Sequence, residues 1–223
     1  MPQRGASVTK LSLAVGAHVA IPNAPPDRGE TMTRRANRLA VPVGPEDNIL
    51  GSPSAKLTLV EYGDYACPYS RRAYPMVAVV QRRFGSQLRF VFRNFPVVDR
   101  DPLAQEAAEA ALAAGAQGRF WEAHDLLFSR ELEPLLANPE AMAAELKLDA
   151  ARFTRDLREG KFRARVLEEA AGGVASGIHG TPTFFLNGSR VDGSWELHTL
   201  VRALRAKLRT LPAERAALGA ATL

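Results

Sequence analysis

The sequence predicts an α/β fold: a βαβ unit, a long helical insertion, then a closing ββα unit. Three observations carry this. A short β-rich run at 57–62 precedes a helical pattern over 68–84 and a second β-rich run at 88–93. The stretch from 102 to about 176 is rich in Ala, Leu, Glu and Arg, with helical periodicity and almost no β-branched runs. β character then returns at 183–186, directly before Asn187-Gly188.

The run Leu57-Thr58-Leu59-Val60-Glu61-Tyr62 has the length and the β-branched and aromatic content of a strand. Gly63-Asp64-Tyr65-Ala66 leads from it to Cys67. Pro68 suits the first turn of a helix, where its missing N–H costs nothing. Pro75 falls inside that helix and is expected to kink it, and Gly85 ends it. Strand, helix and strand in this order predict a parallel pair joined by a right-handed crossover. The middle divides at 115–118, 138–139, 148–149 and 159–160, with Asp149 as an acidic N-cap. Asn187-Gly188 predicts a tight hairpin continuing through 190–192, and an amphipathic helix runs from Trp195 to about Arg209. No internal repeat is visible.

Composition narrows the function classes. The 223 residues are 46% hydrophobic and 24% charged, which suits one globular domain or one with an insertion. The net charge is +5. Lys and Arg are scattered among acids on helical stretches and read as solvated faces. A nucleic-acid binder would carry a basic stripe interleaved with exposed aromatics, and none is seen. No apolar run approaches the ~20 residues of a membrane span, so the expectation is a soluble protein. Arg4 and Lys10 precede a short apolar stretch at 11–17 that faintly resembles a signal peptide. Residues 22–38 are rich in Pro, Gly and charge and read as disordered, with Met32 as a second candidate start.

Cys67, in Cys67-Pro68-Tyr69-Ser70, is the only cysteine. It has no partner for an intrachain disulfide, and a thiolate metal site is excluded. The setting is that of a redox dithiol whose second sulfur is replaced by a hydroxyl. A helix N-terminus favours thiolate over thiol, and the thiolate is the nucleophile in disulfide exchange. Ser70 is three residues on, on the same helical face. Its hydroxyl can donate to the thiolate but cannot expel a partner from a mixed disulfide. A buried structural cysteine and a decayed site are the bland alternatives.

Four segments together resemble the DsbA-like branch of the thioredoxin superfamily over about residues 41–209. They are the run from Val60 through Ser70, the run Gly118-Arg119-Phe120-Trp121-Glu122-Ala123-His124-Asp125-Leu126-Leu127-Phe128, the run from Gly180 to Gly188, and Asp192-Gly193. The resemblance implies a thioredoxin fold with an inserted helical domain. The core takes 41–101 and 177–210, and the insertion, 102–176, covers the active site. An N-terminal extension (1–40) and a C-terminal tail (211–223) stay outside. The family usually carries a second cysteine where this chain has Ser70. The catalytic set it implies is Cys67, Ser70 and Pro182, with Pro182 matching the family's cis-proline. Pro68, Tyr69, Thr181, Thr183 and His179 would contact substrate, whose backbone pairs beside Cys67 like an added strand. Glu61 corresponds to a buried acid that relays protons; an exposed strand Glu is the plain alternative. Arg71 and Arg72 either attract glutathione carboxylates or form a solvated helix face. Close relatives occur fused to a sodium/proton antiporter.

His18, His124, His179 and His198 are scattered and have no metal-ligand spacing, so no metal site is expected. Phe120, Trp121, Leu126, Leu127 and Phe128 read as helical-domain core. The expected activity is thiol–disulfide exchange by a single cysteine on protein or glutathione disulfides. No cofactor is bound, and glutathione acts as co-substrate. A cytoplasmic setting suits a single-thiol cycle; the alternative is the periplasm or export through the weak N-terminal signal. A kappa-type glutathione transferase and a non-catalytic peptide- or partner-binding module are the alternatives, and the oligomeric state stays open.

Overall fold

The computed structural model describes residues 37–193 and 196–211. The signal-like stretch, Met32, Trp195 and the tail from 212 lie outside them. The β-rich runs become β2 (Leu57–Gly63) and β3 (Leu88–Asn94), with α1 (Pro68–Phe84) between them. β2 and β3 pair in parallel, Leu59 opposite Phe90, as the strand–helix–strand order predicts. Pro75 lies within α1, which continues past it.

β1 (Asn48–Leu50) was not expected: three residues carry too little periodicity to register. It adds antiparallel to β3, Ile49 opposite Val91. On the other side β4 (Thr183–Leu186) pairs antiparallel with β2, and β5 (Ser189–Arg190) with β4. The sheet order is β1-β3-β2-β4-β5. Asn187 and Gly188 take φ of 47° and 80°, the left-handed geometry that an Asn-Gly hairpin turn demands. The second hairpin strand stops at Arg190 rather than running to 192. The extension expected over 1–40 is described from Asn37, and there it is docked. The Arg190 N–H donates to the Asn37 carbonyl, and the Leu39 N–H to that of Gly188.

Between β3 and β4 run α2 (Leu103–Gly115), α3 (Phe120–Ser129), α4 (Leu132–Leu136), α5 (Pro139–Glu145), α6 (Ala150–Arg158) and α7 (Arg163–Ala175). The Asp149 side chain caps α6, accepting from the Arg152 N–H. The break between α3 and α4 has neither Gly nor Pro and was not anticipated. Pro134 stands four residues past Arg130 and cannot continue the same helix, and the Arg71 guanidinium donates to the carbonyls of Leu127 and Arg130, satisfying groups that the end of α3 leaves open. α8 (Leu197–Thr210) closes the chain against α1.

The sheet buries both faces. Leu57, Leu59, Phe90 and Phe92 join the α1, α8 and insertion side chains in the larger core, whereas Val60, Tyr62, Val91 and Phe185 face a smaller one. α7 bridges the two. Val166 packs in the larger core, and Gly172 and Gly173 lie against the opposite face. A Cβ on Gly173 would stand 2.5 Å from the Phe95 ring, so glycine there, unfavourable in a helix, is required by close approach. The second half of α7 thus packs with the sheet rather than only with the insertion. A buried Arg93 ties the entering chain down: it forks onto Asp47 (2.7 and 2.9 Å) and donates to the carbonyls of Val41 and Pro42.

Candidate active site

Cys67 is the N-cap of α1, with extended backbone (φ −72°, ψ 121°) and Pro68 at the first helical position. The strand-to-helix turn is held from inside by Asp64, itself 4% exposed. The Asp64 carboxylate accepts from the N–H groups of Ala66 (2.8 Å) and Val97 (3.0 Å), and its carbonyl accepts from the Cys67 N–H (3.1 Å). Burial raises the Asp64 pKa, while these backbone donors oppose the shift. Pro68 and Tyr69 are exposed at the rim; Cys67 is recessed at 8%.

The Cys67 thiol donates to the Thr181 carbonyl at 3.3 Å. The loop before β4 and the head of α1 therefore meet at the sulfur, and the Thr181–Pro182 peptide in that loop is cis. The Thr183 hydroxyl closes that loop by donating to the Gly180 carbonyl (2.7 Å). The Thr181 hydroxyl oxygen is buried without a hydrogen-bond partner, directly beside this contact. Thr181 thus meets Cys67 directly, with Pro182 and Thr183 next to it in the same loop. His179 is exposed, and no contact brings it to the sulfur.

Ser70 is fully buried, and the contact recorded for its hydroxyl is acceptance from the Asp64 N–H (3.3 Å). The expected donation to the sulfur is not what holds it; Ser70 braces the same turn that Asp64 braces. Arg71 also departs from expectation. Besides the α3 carbonyls, its guanidinium donates to the Tyr65 carbonyl (3.1 Å), so it ties the active-site turn to the helical insertion rather than waiting for a carboxylate. Arg72 is exposed on α1.

Glu61 is neither at a sheet edge nor exposed. It stands in the central strand, 2% exposed, between Phe92 and Phe184. Its Oε1 is buried without a partner and lies 3.1 Å from where a Cβ on Gly63 would stand. The side chain thus leans towards the end of β2 from which the Cys67 turn departs. Desolvation pushes its pKa from 4.5 up to about 8.

Three residues carry roles that the sequence reading did not assign. The Tyr65 hydroxyl meets His124 Nδ1 at 3.1 Å, and the imidazole is packed among Phe92, Trp121 and Phe128. Burial pushes the His124 pKa down to about 3 and that of Tyr65 well up, so the pair stays neutral. The available signal was spacing: Phe120, His124 and Phe128 recur every four residues and share one helical face. Asp64 had a weaker one, an acid in a four-residue turn between a buried strand and a helix.

Among the described residues no cluster of three His, Cys, Asp or Glu is arranged to hold a metal, and no helix is long and apolar enough to cross a membrane.

Comparison with known proteins agrees with this geometry. A family model described as Thioredoxin matches residues 44–206. A Na(+)/H(+) antiporter NhaA 1 of Salinispora arenicola is 43% identical over 167 residues, which are 74% of this chain and 26% of the antiporter. The chain spans only about a quarter of the length of the curated antiporters it matches. A thioredoxin-like oxidoreductase from Silicibacter pomeroyi superposes with a TM-score of 0.65 at 29% identity, over 75% of this chain and 95% of that one. BdbD from Bacillus subtilis superposes with a TM-score of 0.65 at 22% identity, over 73% and 93%. By these matches, the chain belongs to the thioredoxin family.

Proposed function

We propose that this chain is a thiol–disulfide oxidoreductase with Cys67 as its sole nucleophile and an external thiol, glutathione in our reading, as the resolving partner. The observation that carries the proposal is the recessed Cys67 sulfur at the head of α1, facing the Thr181 carbonyl across 3.3 Å, with a buried hydroxyl at position 70. The Cys67 thiolate attacks one sulfur of a protein or glutathione disulfide. A Cys67–substrate disulfide forms, and the other sulfur leaves as thiolate and takes a proton. Ser70 cannot attack that adduct, so glutathione thiolate does. It forms a new disulfide with the substrate sulfur and returns Cys67 as thiolate. Electrons balance as interchange, and a second glutathione completes reduction to oxidised glutathione.

Glu61 serves this cycle as a proton store. With its pKa near 8 it can both accept and return a proton near neutrality, which a surface carboxylate cannot. The Thr181 and Thr183 backbone offers an extended substrate a strand-like partner beside the sulfur. A reducing compartment, the cytoplasm in our reading, fits the need for external thiol. The test is steady-state turnover of a glutathionylated peptide at varied glutathione. Ping-pong kinetics abolished by Cys67→Ser are expected. Turnover that survives Cys67→Ser would overturn the proposal, and no turnover at all would favour a binding module of the same fold.

A further inference from the structure

α1 and α8 enclose an open groove of about 750 Å³. Its walls are basic. Arg72 and Arg83 reach it from α1, and Arg202, Arg205 and Arg209 from α8. The α8 arginines follow at spacings of three and four, a like-charge stripe that destabilises an isolated helix. Among the described residues Arg83, Arg202, Arg205 and Arg209 form no ion pair. Glu196, the one acid among the described residues lining the groove, has the His198 imidazole 3.5 Å away. The floor is apolar, made of Met76, Leu197 and Val201.

We propose that this groove is a substrate subsite that takes an acidic polypeptide segment flanking the reacting disulfide; the inference rests on the thiol-exchange reading. Charge complementarity names the chemistry: guanidinium forks pair bidentately with carboxylates. Position names the register. The α1 stripe of Tyr69, Arg72, Met76 and Arg83 starts beside Cys67. At 1.5 Å rise per residue, Arg72 and Arg83 stand about 8 and 24 Å along the helix from the cysteine. An extended chain covers about 3.3 Å per residue, so the acids fall roughly two to seven residues from the substrate sulfur. Among the described residues the lining holds no Phe, Tyr or Trp and a single imidazole, His198, which is little of the stacking platform of a single-strand nucleic-acid site. The groove is also concave, which suits a chain better than a flat lipid surface.

The test separates binding from chemistry. A fluorescein-labelled peptide with serine at the reacting position and Glu or Asp at the following acidic positions is titrated into the full chain carrying Cys67→Ser. Its Gln/Asn counterpart is the control. The acidic peptide should bind about tenfold tighter or better, and added salt should weaken it. Arg202→Glu with Arg205→Glu, both exposed, should remove that preference with an unchanged thermal midpoint. Equal binding of the two peptides, or a preference that survives the double charge reversal, overturns the proposal. So does binding confined to polyphosphate, single-stranded DNA or phosphatidylglycerol vesicles. In a parallel arm both peptides carry an activated cysteine disulfide and react with the wild type. If neither reacts, the thiol reading falls while the serine-variant titration still decides the groove.

Discussion

Replacing Glu61 with Gln removes a proton-linked penalty whose size the burial of this side chain sets. In the folded chain the carboxyl keeps its proton up to about pH 8; in the unfolded chain it releases it near 4.5. Through that window the unfolded state binds fewer protons, so stability is full below pH 4.5 and falls as pH rises towards 8. One proton of difference corresponds to about 1.4 kcal/mol per pH unit, so the full window costs on the order of 5 kcal/mol. Gln has the same shape and no charge to bury. The stability of Glu61→Gln relative to wild type should therefore be constant below pH 4.5, and should grow by about 3 kcal/mol on reaching pH 7. Urea unfolding of both proteins at matched pH values gives the difference directly. Parallel stability curves from pH 4.5 to 8 would refute the reasoning: Glu61 would then ionise in the fold as it does in water.

His124 acts at the acid end. Its folded pKa is depressed from 6.5 to about 3, so stability is present above 6.5 and is lost as pH falls towards 3. His124→Gln should flatten that limb in the same urea titration. Asp64→Ala strands the buried N–H groups of Ala66 and Val97 and should cost about 2–5 kcal/mol, with faster hydrogen exchange at both amides. Ser70→Cys should form a disulfide with Cys67 on oxidation, giving turnover without added glutathione. If thiol counting shows both cysteines still free after oxidation, the two side chains do not converge.

The sequence was most legible where structure is local. The strands flanking α1, Pro68 at its first turn, the Asn187-Gly188 hairpin and the Asp149 cap each follow from neighbouring residues, and each is found in the fold. Where distant segments decide, it was not. Glu61 is buried because β3 and β4 flank it, and β4 joins the chain over a hundred residues later. The carbonyls at the end of α3 find their donor in Arg71, far away in the chain. The Tyr65–His124 contact spans 59 residues. Within the candidate site, Cys67 and the Thr181–Pro182 loop were legible from the motif, whereas the supports of the turn, Asp64 and Ser70, show their bonds only once it is folded.

The central claim is that Cys67 exchanges disulfides and needs an outside thiol to escape. Intact mass spectrometry after incubation with oxidised glutathione tests it most directly. The account predicts one glutathionyl group, mapped to Cys67, stable on removal of free reagent and released by added reduced glutathione. An unmodified chain under those conditions, or an adduct that clears without added thiol, would contradict it.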